Sequence, residues 1–248
     1  MTAAPQDGPL PARLSFQEVS ELNARFEDAS AETLLAWALE QFGERLVIAS
    51  SFGVEDVVLI DHAVRVSRSV RVFTLDTGRL HQATYETLEQ VRRHFGVEVE
   101  VYFPDHDAVE RLVGQKGPNS FYESIENRKE CCRIRKVEPL RRALSTADAW
   151  ATGMRREQST ARQRLAKVEI DMLNGGLVKL NPLAAWTRDE VWDWVRRHDL
   201  PYNRLHDEGF ASIGCAPCTR AVNAGEPERA GRWWWERTND KECGLHAR

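Results

Sequence analysis

The sequence contains no apolar run that approaches the length of a membrane-spanning helix, and its longest apolar segments have the length of a β-strand. It also has no surplus of positive charge, because 34 Lys and Arg residues stand against 38 Asp and Glu residues, with a formal net charge of −4. The first absence excludes insertion in a membrane, and the second argues against general binding of nucleic acid. Basic residues are nevertheless concentrated in 128–142, 155–167 and 229–237, which indicates local anion sites or solvated surfaces.

The first residues of the chain lack the basic segment and the apolar core of a signal peptide. We therefore expect a cytoplasmic protein, in a reducing compartment where disulfides are rare. The 248 residues, 42% of them hydrophobic, suffice for one large domain. Residues 1–14 are rich in Pro and Ala and predict a disordered lead, whereas residues 15–221 predict a single α/β domain. Residues 222–248 contain several Gly and Pro positions and predict a mobile C-terminal tail.

Strand-length and helix-length segments alternate along most of the chain. Residues 15–43 predict helices, with Ser30 at the start of one of them. The apolar patterns then predict strands at 46–50, 70–75, 97–102, 149–152 and 177–180, and helices at 54–66, 81–95, 108–113 and 187–200. Strands joined through helices form right-handed parallel crossovers. The sequence therefore predicts an α/β fold with an open, mostly parallel sheet and helices on both faces, similar to a Rossmann fold.

In a sheet of this kind, ligands bind at the carboxyl ends of the strands, where three turns of this chain are polar. The first turn contains Ser50, Ser51 and Gly53 at the start of a predicted helix, where backbone N–H groups and the helix dipole favour an anion. The turn matches neither the Walker A motif nor the three-glycine dinucleotide motif. A serine-capped tight turn without a ligand explains the same residues.

The other two turns strengthen the prediction of a nucleotide site. The second offers polar groups to a nucleoside, and the third contains two adjacent arginines whose planar guanidinium groups suit phosphate or sulfate oxygens. The residues concerned are Leu75, Asp76, Thr77 and Gly78 in the second turn, and Gly153, Arg155 and Arg156 in the third. Three polar strand ends at one edge of a sheet predict a mononucleotide site.

The five cysteines fall into two close pairs and one separate residue. Cys131 and Cys132 are adjacent, Cys215 and Cys218 enclose two residues, and Cys243 lies near the C-terminus. Two pairs that are far apart in sequence predict one metal site with four thiolate ligands, which leaves the fifth cysteine as a candidate reactive thiol. The spacing of the second pair suits a zinc site, an iron–sulfur cluster and a redox dithiol. A set of free, buried cysteines is the remaining alternative.

The adjacent pair favours one of these alternatives. Neighbouring side chains on a helix point about 100° apart, at roughly 3.6 residues per turn, so two consecutive sulfurs converge poorly on one tetrahedral zinc ion. A cluster offers each sulfur a different iron. We therefore favour one four-iron four-sulfur cluster over zinc, with the ligands Cys131, Cys132, Cys215 and Cys218.

Several motifs resemble those of the sulfonucleotide reductases, and specifically those of the assimilatory adenylylsulfate (APS) reductases of bacteria. The motifs are Ser-Ser-Phe-Gly-Val-Glu-Asp at 50–56, Leu-Asp-Thr-Gly-Arg-Leu at 75–80, Lys-Glu-Cys-Cys-Arg-Ile-Arg-Lys at 129–136, Thr-Gly-Met-Arg-Arg-Glu-Gln at 152–158, Ile-Gly-Cys-Ala-Pro-Cys-Thr-Arg at 213–220, Gly-Arg-Trp-Trp-Trp-Glu at 231–236 and Lys-Glu-Cys-Gly-Leu-His at 241–246. The resemblance implies an adenine nucleotide α-hydrolase-like fold, a cluster on the two cysteine pairs, Cys243 as the nucleophile and a thioredoxin-like reductant.

The same resemblance separates two substrates. Relatives that reduce the 3′-phosphorylated nucleotide (PAPS) generally keep the Lys-Glu-Cys-Gly-Leu-His motif but lack the four cluster cysteines, which are present here. The resemblance therefore implies APS as the substrate, with PAPS as the alternative, and some cluster-bearing relatives use both. It also implies a homo-oligomer and a thioredoxin or glutaredoxin-like reductant.

The implied reaction begins with attack of the Cys243 thiolate on the sulfur of the phosphosulfate. AMP leaves readily, because its phosphate has a second pKa of about 6 and needs no strong general acid. An S-sulfonate remains on Cys243, and a thioredoxin thiol then attacks the Cys243 sulfur and releases sulfite. Candidates for contacts with the phosphosulfate are Lys136, Arg155, Arg156, Arg229 and Arg232. His246 is a further candidate for substrate binding and could lower the pKa of Cys243.

A PP-loop enzyme that consumes ATP for sulfur transfer is the rival enzyme class, because it shares the fold and can carry a cluster. Its loop normally reads Ser-Gly-Gly-x-Asp-Ser, whereas this chain has Phe52, Glu55 and Asp56. A zinc-stabilised nucleic-acid module is disfavoured by the net charge and by the isolated Cys243. The resemblance thus implies thioredoxin-dependent reduction of APS to sulfite and AMP, in sulfate assimilation and cysteine biosynthesis.

Overall fold

The computed structural model describes residues 14–236 and 244–245. Six strands of this part of the chain form one sheet: β1 (Leu46–Ala49), β2 (Arg71–Leu75), β3 (Val99–Tyr102), β4 (Ala149–Ala151), β5 (Val168–Asp171) and β6 (Leu177–Leu180). Their order across the sheet is β3-β2-β1-β4-β6-β5. Neighbouring strands are parallel, except that β5 pairs with β6 in the antiparallel direction. The strands β1 to β3 occupy one side of the sheet and β4 to β6 the other, with β5 at the edge, so the sheet has a switch point between β1 and β4.

Capping residues in the sequence define the starts of several helices. Ser15 and Glu18 form a capping box for the first helix, Ser30 caps the second, and Thr187 and Glu190 form a capping box for the last. The helices are α1 (Phe16–Phe26), α2 (Ala31–Phe42), α3 (Val54–Val66), α4 (Gln82–Phe95), α5 (His106–Lys116), α6 (Ile125–Cys132), α7 (Glu138–Leu144) and α8 (Arg188–His198). No helix in the described residues combines the length and the apolarity needed to cross a bilayer.

The sheet separates two apolar layers, because alternate residues of each strand point to opposite faces. On one face, Ile48 and Val72 pack with α2, α3 and α8. On the other face, Val47, Phe73 and Trp150 pack with α7. Each of these five side chains is at most 2% exposed. Strands that are buried on both faces are typical of a parallel sheet covered by helices, and the predicted fold class is confirmed.

Two features lie outside the predicted set of elements. The first is β5, a short edge strand of sequence Val-Glu-Ile-Asp, which is specified by its pairing with β6 more than by its own apolarity. The second is the nearly continuous helical stretch that carries the adjacent cysteines. Cys131 and Cys132 end α6, and a π-helical turn, Arg133–Val137, leads directly into α7. This turn sets the direction of every residue between the cysteine pair and α7.

The C-terminal segment, which we define as residues 222–236, packs against the α/β domain. Trp233 is 1% exposed, and its backbone N–H donates to the carbonyl oxygen of Cys218 at 3.1 Å. Gly231 permits this close approach, because a Cβ atom there would lie 2.2 Å from the carbonyl oxygen of Arg220. The predicted boundary at residue 222 therefore does not mark a change in packing. Disorder of the lead and mobility of the tail beyond residue 236 stay predictions, because they concern residues that the structure does not describe.

Candidate functional site

A cavity of about 190 Å³ opens at the carboxyl ends of β1, β2 and β4. It lies at the switch point of the sheet, which is where α/β sheets bind their ligands. Its wall combines apolar side chains with polar strand ends and with lysine and arginine side chains. The sequence-predicted residues that line it are Ser50, Ser51, Gly53, Leu75, Thr77, Lys136, Gly153, Arg229 and Arg232.

The first turn is held in shape by its own side chains. Phe52 has a φ of 57° and buries its ring in the core, so the chain bends sharply between β1 and α3. Ser51 donates from its backbone N–H and from its hydroxyl to Asp56 Oδ2, at 2.6 and 2.8 Å, and the Phe52 N–H donates to the Ser50 hydroxyl at 3.1 Å. Burial raises the pKa of Asp56 to about 6. The turn therefore presents a fixed backbone and a carboxyl group that titrates close to neutral pH.

In the second turn, two predicted residues shape the loop instead of lining the cavity. Asp76 is buried and accepts hydrogen bonds from the Gly78 N–H at 2.8 Å and from the Tyr85 hydroxyl at 3.0 Å. Both bonds stabilise the local bend, which is a common role of aspartate in turns. Thr77 does line the cavity, and its hydroxyl lies 3.3 Å from Cys215 Sγ. This turn therefore connects the cavity with the cysteines.

The two arginines of the third turn were predicted to bind phosphosulfate, yet neither lines the cavity. Arg155 is 1% exposed and donates to Glu55 Oε1 from Nε at 3.0 Å and from Nη2 at 2.8 Å. Arg156 donates to the Glu27 carboxylate from both terminal nitrogens, at 2.5 and 2.9 Å, and from Nε to the Leu165 carbonyl at 2.8 Å. Arg155 thus pairs with Glu55, which itself lines the cavity, and Arg156 pairs with Glu27, which does not. These positions do not support the predicted direct contacts with phosphosulfate, which stay a prediction.

Two residues outside the predicted set, Gln158 and Arg162, line the cavity instead. Arg162 Nη1 donates to Gln158 Oε1 at 2.5 Å, and Gln158 Nε2 donates to Glu55 Oε1 at 3.0 Å. The only signal for Arg162 in the sequence is its place in the basic stretch 155–167. The basic stretch does contribute a cation to the cavity, but that cation is Arg162 and not an arginine of the motif at 152–158.

Lys136 and Arg232 are two further cations that line the cavity. Lys136, four residues after the cysteine pair, lines both this cavity and the neighbouring cysteine pocket described below. Arg232 is 7% exposed, donates to the Ile213 carbonyl at 3.0 Å and lies over the Trp233 ring at 4.9 Å. Gly214 leaves room for the guanidinium, because a Cβ atom there would lie 2.4 Å from Arg232 Nη2. Cations gathered in a recessed site raise the local concentration of anionic ligands.

All four predicted metal ligands line a second, smaller cavity of about 20 Å³, which we call the cysteine pocket. Cys131 and Cys132 reach it from the end of α6, and Cys215 and Cys218 from the loop beside β2. None of the four is in a disulfide. The other side chains around the pocket are cationic or aromatic with one proline: Arg79, Phe121, Arg128, Arg135, Lys136, Pro217 and Trp233. Two distant pairs of thiols are thus brought together beside the main cavity.

The thiols lie in largely buried and positively charged surroundings. Burial raises the pKa of Cys131, and burial together with the neighbouring thiol of Cys215 raises the pKa of Cys218 to about 12. At Cys215 burial also disfavours the thiolate, but the Lys136 charge and the Thr77 hydroxyl outweigh it and lower the pKa. The described residues contain no group of three or more His, Cys, Asp or Glu placed to hold one metal ion. The thiols therefore surround the pocket without forming a single-ion site.

The predicted nucleophile, Cys243, and the predicted contact His246 lie outside the described residues. Between them, Leu245 lines the main cavity and packs against the core layer that contains Trp150. Of the described residues in the motif at 241–246, Leu245 thus lines the cavity.

Comparisons with known proteins agree with this geometry. The family model of the phosphoadenosine phosphosulfate reductase domain matches residues 45–221. The adenosine 5′-phosphosulfate reductase of Allochromatium vinosum is 50% identical over 221 residues, which cover 89% of this chain and 86% of that protein. The adenosine 5′-phosphosulfate reductase of Pseudomonas aeruginosa is 47% identical over 251 aligned residues, which cover 99% of this chain and 92% of that protein.

Among solved structures, phosphoadenylyl-sulfate (PAPS) reductase from Candida auris, in a phosphate complex, is similar with a TM-score of 0.72 and 25% identity. The match covers 84% of this chain and 98% of that one. The FMN adenylyltransferase of Candida glabrata has a TM-score of 0.56 at 14% identity, over 94% of this chain and 76% of its own, which shows a shared fold alone. On the match over residues 45–221 and the identity to two reductases over most of its length, the chain belongs to the phosphoadenosine phosphosulfate reductase family.

Proposed function

We propose that this chain reduces APS to sulfite and AMP through a thiol nucleophile, with a thioredoxin or glutaredoxin-like protein as the reductant. One observation carries the proposal: a cation-lined cavity at the nucleotide-binding edge of the sheet adjoins a pocket of four thiols, and Lys136 and Cys215 belong to the walls of both. The two bacterial relatives described above are named for the reduction of this nucleotide. We further propose that the protein is a cytoplasmic homo-oligomer that serves sulfate assimilation and cysteine biosynthesis.

The residues of the cavity divide according to the two ends of the substrate. The turn with Ser50, Ser51 and Gly53 offers hydroxyl and backbone groups at the start of α3. The cationic residues Lys136, Arg162, Arg229 and Arg232 line the cavity as well. Each charge-assisted hydrogen bond to a phosphosulfate oxygen contributes about 1.5–3 kcal/mol, so two or three of them are sufficient for micromolar affinity when the nucleoside also packs. We therefore assign the cations to the phosphosulfate and the polar strand ends to the nucleoside.

The chemical step that we propose balances without an external acid. The thiolate of Cys243 attacks the sulfur of APS, the bond between that sulfur and the phosphate oxygen breaks, and AMP leaves with the bonding electrons. A thiolate of the reductant then attacks Cys243 Sγ and displaces sulfite, which forms a mixed disulfide. The second thiol of the reductant resolves this disulfide and returns Cys243 to the thiol form, so the reductant supplies both electrons. A free cysteine of pKa about 8.5 is only a few per cent ionised at neutral pH, and a cationic cavity would favour the thiolate of a cysteine that enters it.

The cysteine pocket fits a four-iron four-sulfur cluster in its donor set. Four thiols without disulfides line one pocket, and the Lys136 charge and the Thr77 hydroxyl lower the pKa of one of them, Cys215. Because Cys131 and Cys132 are adjacent on one helix, ligands that each bind a different iron suit them better than one zinc ion does. Cys131, Cys132, Cys215 and Cys218 would hold the cluster, which would supply a compact charge beside the cavity and join α6 to the loop at 215–218.

The second candidate substrate is PAPS, after which both the matching family and the Candida auris reductase are named. A 3′-phosphate would add two negative charges to the ligand. On the turn that we assign to the nucleoside, Glu55 is paired with Arg155, and the Asp56 carboxyl is the other described ionisable side chain at the cavity. We therefore favour APS over PAPS. Turnover of ATP as a PP-loop enzyme is the remaining alternative, and it rests on the fold alone.

Sulfite release in the presence of thioredoxin and its reductase tests the proposal with APS, PAPS and ATP as parallel substrates. We expect sulfite and AMP from APS, with kcat/KM for PAPS at least about tenfold lower, as one unfavourable charge contact predicts. The matched control is Cys243→Ser, which should bind APS but form no S-sulfonate. Sulfite production by that variant would disprove the role of Cys243, and release of pyrophosphate from ATP without any reaction of APS would identify the PP-loop alternative.

A further inference from the structure

Arg155 is the most deeply buried arginine of the third turn, and its side chain connects three carboxylates. Besides the two bonds to Glu55, Nη2 lies 3.3 and 3.2 Å from the two carboxylate oxygens of Glu228, and Nη1 lies 3.1 Å from Glu157 Oε2. Only 1% of the Arg155 side chain is exposed, against 12% for Glu55 and 15% for Glu228. Glu157 is half exposed, so Glu55 and Glu228 are the buried partners of this guanidinium.

The two buried partners face the main cavity. Glu55 and Glu228 both line it, whereas Arg155 does not. Arg155 therefore lies behind the cavity wall and contacts the cavity only through the carboxylates that it binds. These carboxylates come from different parts of the fold, since Glu55 is in the first turn of α3 and Glu228 is in the C-terminal segment.

The charges explain why this arrangement needs the arginine. Two carboxylates at the wall of a cavity meant for an anion would repel the ligand and each other at short range in a partly desolvated site. Burial and the nearby Glu55 charge raise the pKa of Glu228, and Arg155 opposes both effects. Burial also disfavours the charged form of Arg155, yet Glu55 and Glu228 raise its pKa overall. The cation and the carboxylates thus stabilise one another.

Glu228 also determines the position of a cationic residue of the site. Arg229 follows it directly in the sequence and lines the same cavity. Between residues 228 and 236 the backbone is held by hydrogen bonds such as the one from the Arg232 N–H to the Arg229 carbonyl at 3.0 Å. An ion pair that fixes Glu228 therefore fixes where Arg229 enters the cavity.

We propose that Arg155 is a positioning residue, which neutralises Glu55 and Glu228 and so holds the C-terminal segment, with Arg229, against the substrate cavity. The inference rests on the proposed function and differs from the motif-based expectation, in which Arg155 binds phosphosulfate itself. In the present assignment Arg155 acts on the substrate through two carboxylates. Loss of Arg155 harms the site mainly because it removes the ion pairs of both carboxylates, with Arg188 as the other cation that lowers the pKa of Glu228.

Removal of both partners separates this role from direct binding. The variants are Arg155→Met, Arg155→Lys, Glu228→Gln and the double variant Arg155→Met/Glu228→Gln, with Arg156→Met as the matched neighbour that pairs outside the cavity. We expect Arg155→Met to raise KM for APS at least about tenfold, with a smaller change in kcat, because a buried partner charge is left unpaired. Glu228→Gln should recover a large part of that loss in the double variant, and Arg156→Met should stay within about twofold of the wild type.

Three results would overturn the inference. The first is a double variant whose KM for APS is no lower than that of Arg155→Met. The second is an unchanged KM in Arg155→Met, and the third is a loss in Arg155→Met that is confined to kcat. If Arg155→Met does not fold, Arg155→Lys serves instead, because one ammonium cannot form the fork to both carboxylates. We then expect a rise in KM that Glu228→Gln reduces, and the absence of any rise overturns the proposal in the same way.

A binding measurement keeps this test independent of the reaction. Titration calorimetry with AMP on the same full-length, metal-loaded variants measures the affinity of the cavity for an anionic nucleotide. Weaker binding in Arg155→Met, with recovery in the double variant, supports the inference even if the wild type releases no sulfite from APS, whereas equal affinities overturn it. Failure of the wild-type reaction alone would instead disprove the proposed function.

Discussion

Arg128 and Glu236 form a bidentate ion pair from which solvent is almost fully excluded. Arg128 Nε donates to Glu236 Oε1 at 2.8 Å, Nη2 donates to Oε2 at 2.9 Å, and both side chains are 2% exposed. The guanidinium also lies over the ring of Trp233, 4.8 Å from its centroid. Because Arg128 is on α6, three residues before Cys131, the pair attaches the C-terminal segment to the helix that carries the first cysteine pair.

This ion pair leads to a prediction about folding stability. Arg128→Met leaves the Glu236 carboxylate buried with no counter-charge, so we expect the free energy of unfolding to fall by about 3–5 kcal/mol. Arg128→Met/Glu236→Met should recover most of the loss, because the uncompensated charge is gone. Urea denaturation of the metal-loaded protein measures both. The control is Arg93→Ala, which removes the exposed pair with Glu89 and should cost about 0.5 kcal/mol or less. Equal losses for the buried and the exposed pair would contradict the prediction.

Gly153 gives a prediction about substrate binding. A Cβ atom there would lie 2.6 Å from Asp56 Oδ1 and 3.0 Å from the Asp56 backbone nitrogen, so Gly153→Ala must displace the turn that shapes the cavity. We expect KM for APS to rise at least about tenfold, as for other small displacements of positioning groups. The matched control is Gly114→Ala in α5, where no atom lies within 4 Å of the added methyl group. That variant should keep the wild-type KM and gain about 0.5–1 kcal/mol in stability. An unchanged KM in Gly153→Ala would contradict the prediction, because it would mean that the turn accommodates the methyl group without displacing the cavity wall.

Asp56 gives a prediction about pH. Its pKa in the folded protein is about 6, above the usual 3.8, because burial disfavours the carboxylate. A raised acid pKa means that the folded state binds the proton more tightly, so its stability contribution is complete below about pH 4 and is lost as the pH rises to about 6. Asp56→Asn removes this loss. We expect the variant to exceed the wild type in unfolding free energy by about 3 kcal/mol at pH 7, and by little at pH 4. A constant difference across this range, measured by denaturation, would contradict the assigned cause.

The division of roles among the cysteines gives a prediction about metal content. Protein purified without oxygen should contain about four iron and four acid-labile sulfide per chain, as expected of one such cluster. Cys218→Ser should lose most of the iron, because it removes a ligand from the pocket. Cys243→Ser should keep all of the iron while losing sulfite release. Iron-free wild-type protein, or zinc in stoichiometric amount, would disprove the proposed cluster.

Most strands and helices of the α/β domain were predictable because they are apolar runs of suitable length, whereas the helical stretch from α6 to α7 was not predicted. The helix from Val54 to Val66 matches its predicted bounds, and Thr187 caps the last helix as predicted. The strand β5 was not predicted, because Glu169 and Asp171 alternate with its apolar residues and its strand conformation depends on pairing with β6. Local pattern therefore predicts the central strands better than the edge of the sheet.

The candidate site was predictable where it depends on topology and not where it depends on a distant partner. Polar residues at strand ends, such as Ser50 and Thr77, line the cavity because parallel strands end at the same edge. Arg155 and Arg162 belong to the same basic stretch, yet only Arg162 lines the cavity. The difference is made by Glu55, which lies 100 residues before Arg155 and binds it. No local pattern contains that information.

The π-helical turn at 133–137 fixes how many residues may stand between the cysteine pair and the core. Cys132 faces the cysteine pocket before the turn, and Leu140 faces the core layer with Phe73 after it. Deletion or insertion of one residue would rotate α7 by about 100° relative to α6, so one of these two faces would be lost. We therefore expect an indel scan of this chain to find no tolerated insertion or deletion over these five positions.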